Sequence, residues 1–305
     1  MSNTSLSEAI EHYLAYLQLE RGASPQTVSG YAGDLRQMEM FLAQRKVGEV
    51  GAVNMGAISA YLAHLTELRL KPSSAARKIT SLRTFLKFLF SQQIIAEDFT
   101  EKISTPKQRR KLPHPISLDQ FEALLAAIPD QTPVGIRDRA IVELMFGSGL
   151  RISEVPALKL TDVDEEGGFL RVFGKGSKER IVPIGSKGIE ALQRYQTVAR
   201  PSLVRGKTNS TIFISARGTP LSRKTIWLGI RTYARAAKIP EGSLTPHGLR
   251  HSFATELLKG GADLRIVQGL LGHASISTTQ IYTAVEPTQL ISIHEKYHPR
   301  SGMRV

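Results

Sequence analysis

Eleven residues a third of the way along the chain constrain its folding more than any others. Segment 105–115 reads TPKQRRKLPHP, with three prolines and four cations. Proline removes a backbone donor and crowds the preceding turn, so no helix continues through this stretch. It reads as an exposed linker. The 305 residues therefore divide into two parts of ordinary domain size. The expected organisation is a domain over residues 1–106, a basic, proline-rich linker over 107–115 and a second domain over 116–305.

Charge divides at the same place. The chain carries 40 Lys+Arg against 27 Asp+Glu, a net of +13. Residues 1–106 hold 11 and 10 of these, while residues 107–305 hold 29 and 17. An excess confined to the second part points to a polyanionic partner, most simply nucleic acid. The chain has no cysteine, which excludes a disulfide scaffold, a Cys-ligated zinc, an iron–sulfur cluster and a thiol nucleophile. Its 41% hydrophobic and 22% charged content is that of a globular protein. No apolar run approaches the roughly 18 residues of a membrane span. The opening MSNTSLSEAIEHYLAYLQLE lacks the basic and apolar regions of a secretory signal. A soluble, cytoplasmic protein with no membrane partner is expected.

The first part reads as helical. Leu6, Ile10, Tyr13, Leu14 and Leu17 recur on one face of an amphipathic helix. Ser24-Pro25 supplies a cap and a helix-compatible first position for a second helix through Tyr31, Leu35, Met38 and Leu42. A third is expected over 55–68 and a fourth from Ser73 through Leu89, giving a four-helix bundle. Arg77, Lys78, Arg83 and Lys87 on the fourth helix read either as a DNA-contacting basic stripe or as a solvated face.

The second part opens with helices over 118–128 and 136–146. Two β-rich runs, 169–173 and 180–184, then flank Gly174-Lys175-Gly176-Ser177 in a hairpin pattern. Helices return from Ile189. The fold class is mainly α, a four-helix bundle plus a mainly α domain with a small antiparallel β-sheet.

Four segments of this second domain concentrate polar residues. In FGSGLRISE, Arg151 stands at the opening of an expected helix, with Glu154 three residues on. The pair is a surface ion pair or part of a site. In GKGSKER, Lys175 sits at a glycine-flanked turn. A phosphate-cradling P-loop fails there, because the lysine precedes glycine and a strand follows in place of a helix. A charged hairpin tip is the plain alternative.

TPHGLRHSFATELLKG is a helix capped by Thr245, opened by Pro246 and stopped at Gly260. His247 and Arg250 fall in its first turns, where free N–H groups and the helix dipole favour an anion. His247 and His251 have the spacing of a metal pair, but Gly248 stands where a zincin motif needs glutamate. Hydrogen-bonded structure explains the pair equally well. In LLGHASISTTQIYT, Gly272 ends a helix, His273 follows it, and a Ser277-capped helix carries Tyr282, which also reads as a core residue.

Together these segments offer two arginines, a lysine, two histidines and a tyrosine without a metal cage. Two guanidiniums can clamp the non-bridging oxygens of a phosphodiester through charge-assisted bonds and neutralise its transition state. A tyrosine can attack phosphorus while a lysine protonates the leaving oxygen.

GSGLRISE, GKGSKERIVPI, TPHGLRHSFAT and LLGHASISTTQIYT resemble, in order and spacing, the signature of tyrosine site-specific recombinases, and closely their Xer subgroup. The resemblance extends to ASPQTVSGYAGDL, PSSAARKITSLRTFLKFL and the ending HEKYHPR, so it covers nearly the whole chain. It implies that Tyr282 is the nucleophile forming a 3′-phosphotyrosyl bond and that Arg151 and Arg250 bind the phosphate. Lys175 is then the general acid for the 5′-oxygen, His247 the acceptor of the tyrosine proton and His273 a hydrogen-bond donor to the scissile phosphate. Glu154 is implied to hold Arg151 or its neighbours in place. His251 is expected to support rather than react.

One departure is Val155-Pro156, where relatives tend to carry no proline. Proline is tolerable in a first turn and kinks a helix that starts further upstream.

The resemblance implies further that the first domain is a core-binding domain on one face of the duplex and the second a catalytic domain on the other. It implies a double-stranded recombination site as partner and a tetramer on two such sites, acting alone or with a paralogous recombinase. The tail over 287–305 is expected to dock on a neighbouring protomer. A DNA translocase is an expected partner, and chromosome-dimer resolution during segregation the expected task. Neither metal, ATP nor another cofactor is required. The rival readings are a phage or integron integrase, a type IB topoisomerase, a non-catalytic DNA-binding relative, and a metal-dependent hydrolase using His247, His251 and His273.

Overall fold

Ser5 begins the first helix by a reciprocal cap, its hydroxyl accepting from the Glu8 amide while the Glu8 carboxylate takes the Ser5 N–H. The computed structural model describes residues 4–104, 115–173, 179–206, 208–240, 243–271 and 287–302. By contact density the chain separates into two compact units, Met1–Lys111 and Leu112–Val305.

The first unit is built from α1 (Leu6–Leu19), α2 (Pro25–Gln44), α3 (Met55–Glu67) and α4 (Pro72–Ser91). Ser24 and Asn54 cap α2 and α3 through the amides of Thr27 and Ala57. Each helix turns an i, i+3/i+4 stripe inward. Ile10 and Tyr13 of α1, Leu35 and Met38 of α2, Ile58 and Tyr61 of α3, and Leu82, Phe85 and Leu86 of α4 share one core. Each such burial stabilises the fold by about 1.5–3 kcal/mol. The Tyr13 hydroxyl, buried at its ring end, donates to Thr84 Oγ1 at 2.7 Å.

Of the four cations expected to form a stripe on α4, Lys78 turns away from solvent. Lys78 is 7% exposed, and its Nζ donates to Asp34 Oδ1 of α2 at 3.1 Å. Arg77 donates to the same carboxylate and, at 2.9 Å, to the Gly30 carbonyl. A buried aspartate needs counter-charge, and these residues supply it. Lys78 therefore drops out of the expected basic stripe, while Arg77 stays exposed beside its pairing with Asp34. Lys87 remains exposed and Arg83 half-buried.

In the second unit, α5 (Leu118–Ala126) packs on α6 (Pro133–Gly147), with Phe121 stacked on Phe146. Helix α6 is buried on nearly every side, as a central helix must be. Strands β1 (Val163–Asp164), β2 (Phe169–Phe173) and β3 (Glu179–Pro183) form an antiparallel sheet in that order. The sheet carries one strand more than the expected hairpin. Its register pairs Leu170 with Val182 and Val172 with Arg180, all four on the buried face.

Beyond the sheet, α7 (Ser186–Arg194) runs through a π turn over Tyr195–Ala199 into α8 (Arg200–Val204). Then come α9 (Arg223–Ala236), α10 (Pro246–Gly260), α11 (Leu264–Leu271) and α12 (Pro287–Tyr297). Phe253 and Leu257 of α10, Val267 and Leu270 of α11 and Leu290 of α12 share a second core. Among the described residues no helix is long and apolar enough to cross a membrane.

The tail seats on its own unit. His294 Nε2 lies 2.7 Å from the Gly147 carbonyl, the Ser186 amide donates to the Ser301 carbonyl at 2.7 Å, and Arg300 pairs with Glu143 and Glu122.

Candidate active site

The site is assembled where α6 stops. Gly149 takes φ +60, and a Cβ there would lie 2.5 Å from Phe253 Cδ1 of α10. Only glycine fits a left-handed turn at that approach. The chain then buries Leu150 and presents Arg151.

No α-helix starts at Arg151, contrary to the expectation from its spacing. Glu154 folds back instead, its Oε2 accepting from the Arg151 amide at 2.7 Å and its Oε1 from Arg151 Nη1 at 2.9 Å. A side chain that satisfies its neighbour's backbone donor offers an alternative to helix. The next element is a 3₁₀ turn over Val155–Ala157, with Pro156 inside its first turn. Proline there displaces no helical hydrogen bond, so the Arg151 segment carries no kink.

Arg250 arrives from α10. Thr245 caps that helix, its hydroxyl accepting from the Gly248 amide at 2.8 Å. The left-handed stop falls at Gly261, φ +103, one residue beyond the expected Gly260. Gly260 is required for another reason, because a Cβ there would overlap the Tyr297 carbonyl. Arg250 is 5% exposed, and its Nη1 donates to the Gly149 carbonyl at 2.6 Å.

The two arginines meet on one oxygen. The Leu271 carbonyl, at the last turn of α11, accepts from Nη2 of Arg151 at 3.2 Å and from Nη2 of Arg250. Arg151 keeps 39% of its side chain exposed. Two guanidiniums from separate elements thus converge on a single acceptor, one of them open to solvent.

Glu154 is the counter-charge beneath them. Burial alone would raise its pKa. The hydrogen bonds and charge of Arg180, together with those of Arg151, outweigh burial and hold the carboxyl below the usual glutamate range.

Sequence comparison places the chain. Residues 115–289 match the model of the phage integrase family, and residues 10–93 match its N-terminal SAM-like domain. The chain belongs to the phage integrase family. Tyrosine recombinase XerD of Staphylococcus saprophyticus is 42% identical over 293 residues, covering 96% of this chain and 99% of that protein. XerD of Proteus mirabilis is 42% identical over 291 residues, covering 95% and 93%. The fold is shared with lambda integrase bound to DNA, at TM-score 0.69 and 20% identity, covering 96% of this chain and 97% of that one.

In this phage integrase family chain the structure brings Arg151, Arg250 and Glu154 together. His247 is the second residue of α10; its ring lies outside what the structure describes. Lys175, between β2 and β3, and His273 and Tyr282, between α11 and α12, also lie outside the described residues.

Two features escaped the reading of the integrase sequence. One is Arg180, which donates to Glu154 through Nη1 at 2.7 Å and Nη2 at 2.8 Å. Its signal is an arginine in phase with Val182 on the buried face of a strand. The other is α9, where Arg223, Lys224, Arg231 and Arg235, followed by Lys238, occur with no carboxylate between Arg223 and Pro240.

Proposed function

We propose that this chain is a site-specific DNA recombinase that cuts and rejoins strands through a 3′-phosphotyrosyl intermediate. The observation that carries the reading is the convergence of Arg151 and Arg250 on one oxygen. Two guanidiniums so placed suit a non-bridging oxygen of a phosphodiester.

In the proposed reaction, the Tyr282 oxygen attacks phosphorus and its proton passes to His247. The bond from phosphorus to the 5′-oxygen breaks, and Lys175 supplies the proton that makes a 5′-hydroxyl. Arg151, Arg250 and His273 hold the oxygens whose charge grows in the pentacoordinate transition state. Attack by another strand's 5′-hydroxyl reverses these steps and restores the phosphodiester. One ester replaces another, so ATP is not consumed.

Residues 1–106 and 116–305 would form the core-binding and catalytic domains, joined by 107–115. The cations of α9 supply phosphate-backbone attraction, which makes binding strongly salt-dependent. A tetramer on two sites, with or without a paralogue, and chromosome-dimer resolution assisted by a translocase fit the likeness to XerD. A cytoplasmic setting fits the same task.

The test is covalent trapping from a pool of nicked suicide duplexes, followed by sequencing of the trapped DNA. Wild-type protein should yield an adduct at a defined sequence, and Tyr282→Phe should bind that duplex without forming one. An adduct at wild-type level in the phenylalanine variant would overturn the nucleophile assignment.

A further inference from the structure

Arg180 has no part in the chemistry just described, yet it occupies an expensive position. It is the second residue of β3, 6% exposed, with Leu170, Val172 and Val182 on the same buried sheet face. Its Nε is buried and makes no hydrogen bond among the described residues. An aliphatic residue would fill this face without desolvating a charge, and buried ion pairs are often no more stabilising than such a replacement. Stability is therefore a weak explanation for an arginine here.

Its contacts suggest a stronger one. Arg180 meets Glu154 as a fork, one nitrogen on each carboxylate oxygen at 2.7 and 2.8 Å. This planar geometry fixes the carboxylate plane as well as its position. The same two oxygens accept from Arg151, Oε2 from its amide and Oε1 from its guanidinium. The orientation imposed by Arg180 is thus the one that holds both the Arg151 turn and its side chain.

Charge gives a second effect. Glu154 and Arg151 alone would form a neutral pair, and a neutralised arginine attracts phosphate weakly. With Arg180 sharing the carboxylate, the three groups carry a net +1. The surplus resides with Arg151, the more exposed of the two cations.

We propose that Arg180 is a positioning residue for Arg151, orienting Glu154 and drawing enough of its charge that Arg151 remains a phosphate ligand. It also ties β3, adjoining the connection that contains Lys175, to the turn that presents Arg151. The proposal rests on reading the site as a phosphodiester-transfer centre.

The test is a double-mutant cycle on the rate of adduct formation. It uses full-length protein and the suicide duplex on which the wild type is trapped, with duplex affinity and thermal melting measured for every variant. Arg180→Gln should slow adduct formation by about 10–100-fold, the range in which partners that orient a ligand act, with duplex affinity unchanged. In an Arg151→Lys background the same change should cost much less, because residues acting through one another are non-additive. Arg180→Lys, which keeps the charge and loses the fork, should fall between. If Arg180→Gln melts below the assay temperature, Arg180→Lys carries the cycle under the same criterion.

A wild-type rate in Arg180→Gln, or an equal fold-loss in both backgrounds, overturns the proposal. Equal losses are what a merely structural role predicts. Failure of the wild type to form any adduct overturns the functional reading itself, which distinguishes the two.

Discussion

His294 Nε2 lies 2.7 Å from the carbonyl oxygen of Gly147, joining the tail helix to the last residue of α6. A carbonyl only accepts, so Nε2 carries the proton. Nδ1 is buried and has no partner among the described residues, and a second proton there would be buried uncompensated. Burial pushes the His294 pKa down to about 4, against the opposing pull of the Gly147 carbonyl. The stacked His298 is shifted the same way, by burial and by the charges of His294 and Arg300.

The tail should accordingly loosen in acid. With the folded pKa depressed, the unfolded state takes up the proton first. Stability is full above the ordinary histidine value, near 6.5, and is lost as pH falls toward 4. The loss through His294 amounts to about 3 kcal/mol at about 1.4 kcal/mol per pKa unit. Hydrogen exchange over residues 287–302 should accelerate through this window in the wild type. It should accelerate less in His294→Gln, whose amide donates to the same carbonyl without titrating. Equal acceleration in the two would refute this account.

Glu154 also loses its contribution in acid, over a lower window. Its folded pKa lies below the ordinary value, so its contribution is full above about pH 4.3 and disappears as pH falls through the folded value. Glu154→Gln leaves Arg180 buried without counter-charge and should cost about 3–5 kcal/mol. Urea unfolding at neutral pH checks the magnitude. Repeating it in acid should show a smaller difference between variant and wild type.

Gly149→Ala combines a left-handed backbone with a collision on Phe253. It should destabilise the fold by about 1–3 kcal/mol and slow adduct formation, because the displaced carbonyl is the one that accepts from Arg250. Unchanged melting and an unchanged rate would show that the turn relaxes freely.

For Lys175→Ala, cleavage of an ordinary duplex should fall by about 10²–10⁴-fold, the usual worth of a positioned acid. A duplex with sulfur at the 5′-bridging position, whose leaving group needs no proton, should restore most of the rate. Persistent loss on the sulfur substrate would assign the lysine another role.

Much of the scaffold is legible as local chemistry. Ser5, Ser24 and Thr245 each accept from a first-turn amide, as their side chains dictate. The Arg151 segment was harder to read because spacing alone cannot distinguish a helix from a turn closed by Glu154 on its neighbour's N–H. Lys78 shares the helical phase of Leu82, Phe85 and Leu89, so its burial was readable from period. Its charge suggested solvent, and a carboxylate 44 residues earlier in the chain reversed that. Arg180 is the complementary case, a charge in phase with a buried strand face whose partner lies 26 residues away.

The oxygen of Leu271, held by both Arg151 and Arg250, acts as an internal competitor for whatever anion those arginines bind. A phosphate oxygen at the same point must displace it. The apparent affinity for that phosphate is then the intrinsic one scaled by the fraction of molecules in which the last turn of α11 has withdrawn. Substitutions that weaken this turn would tighten DNA binding.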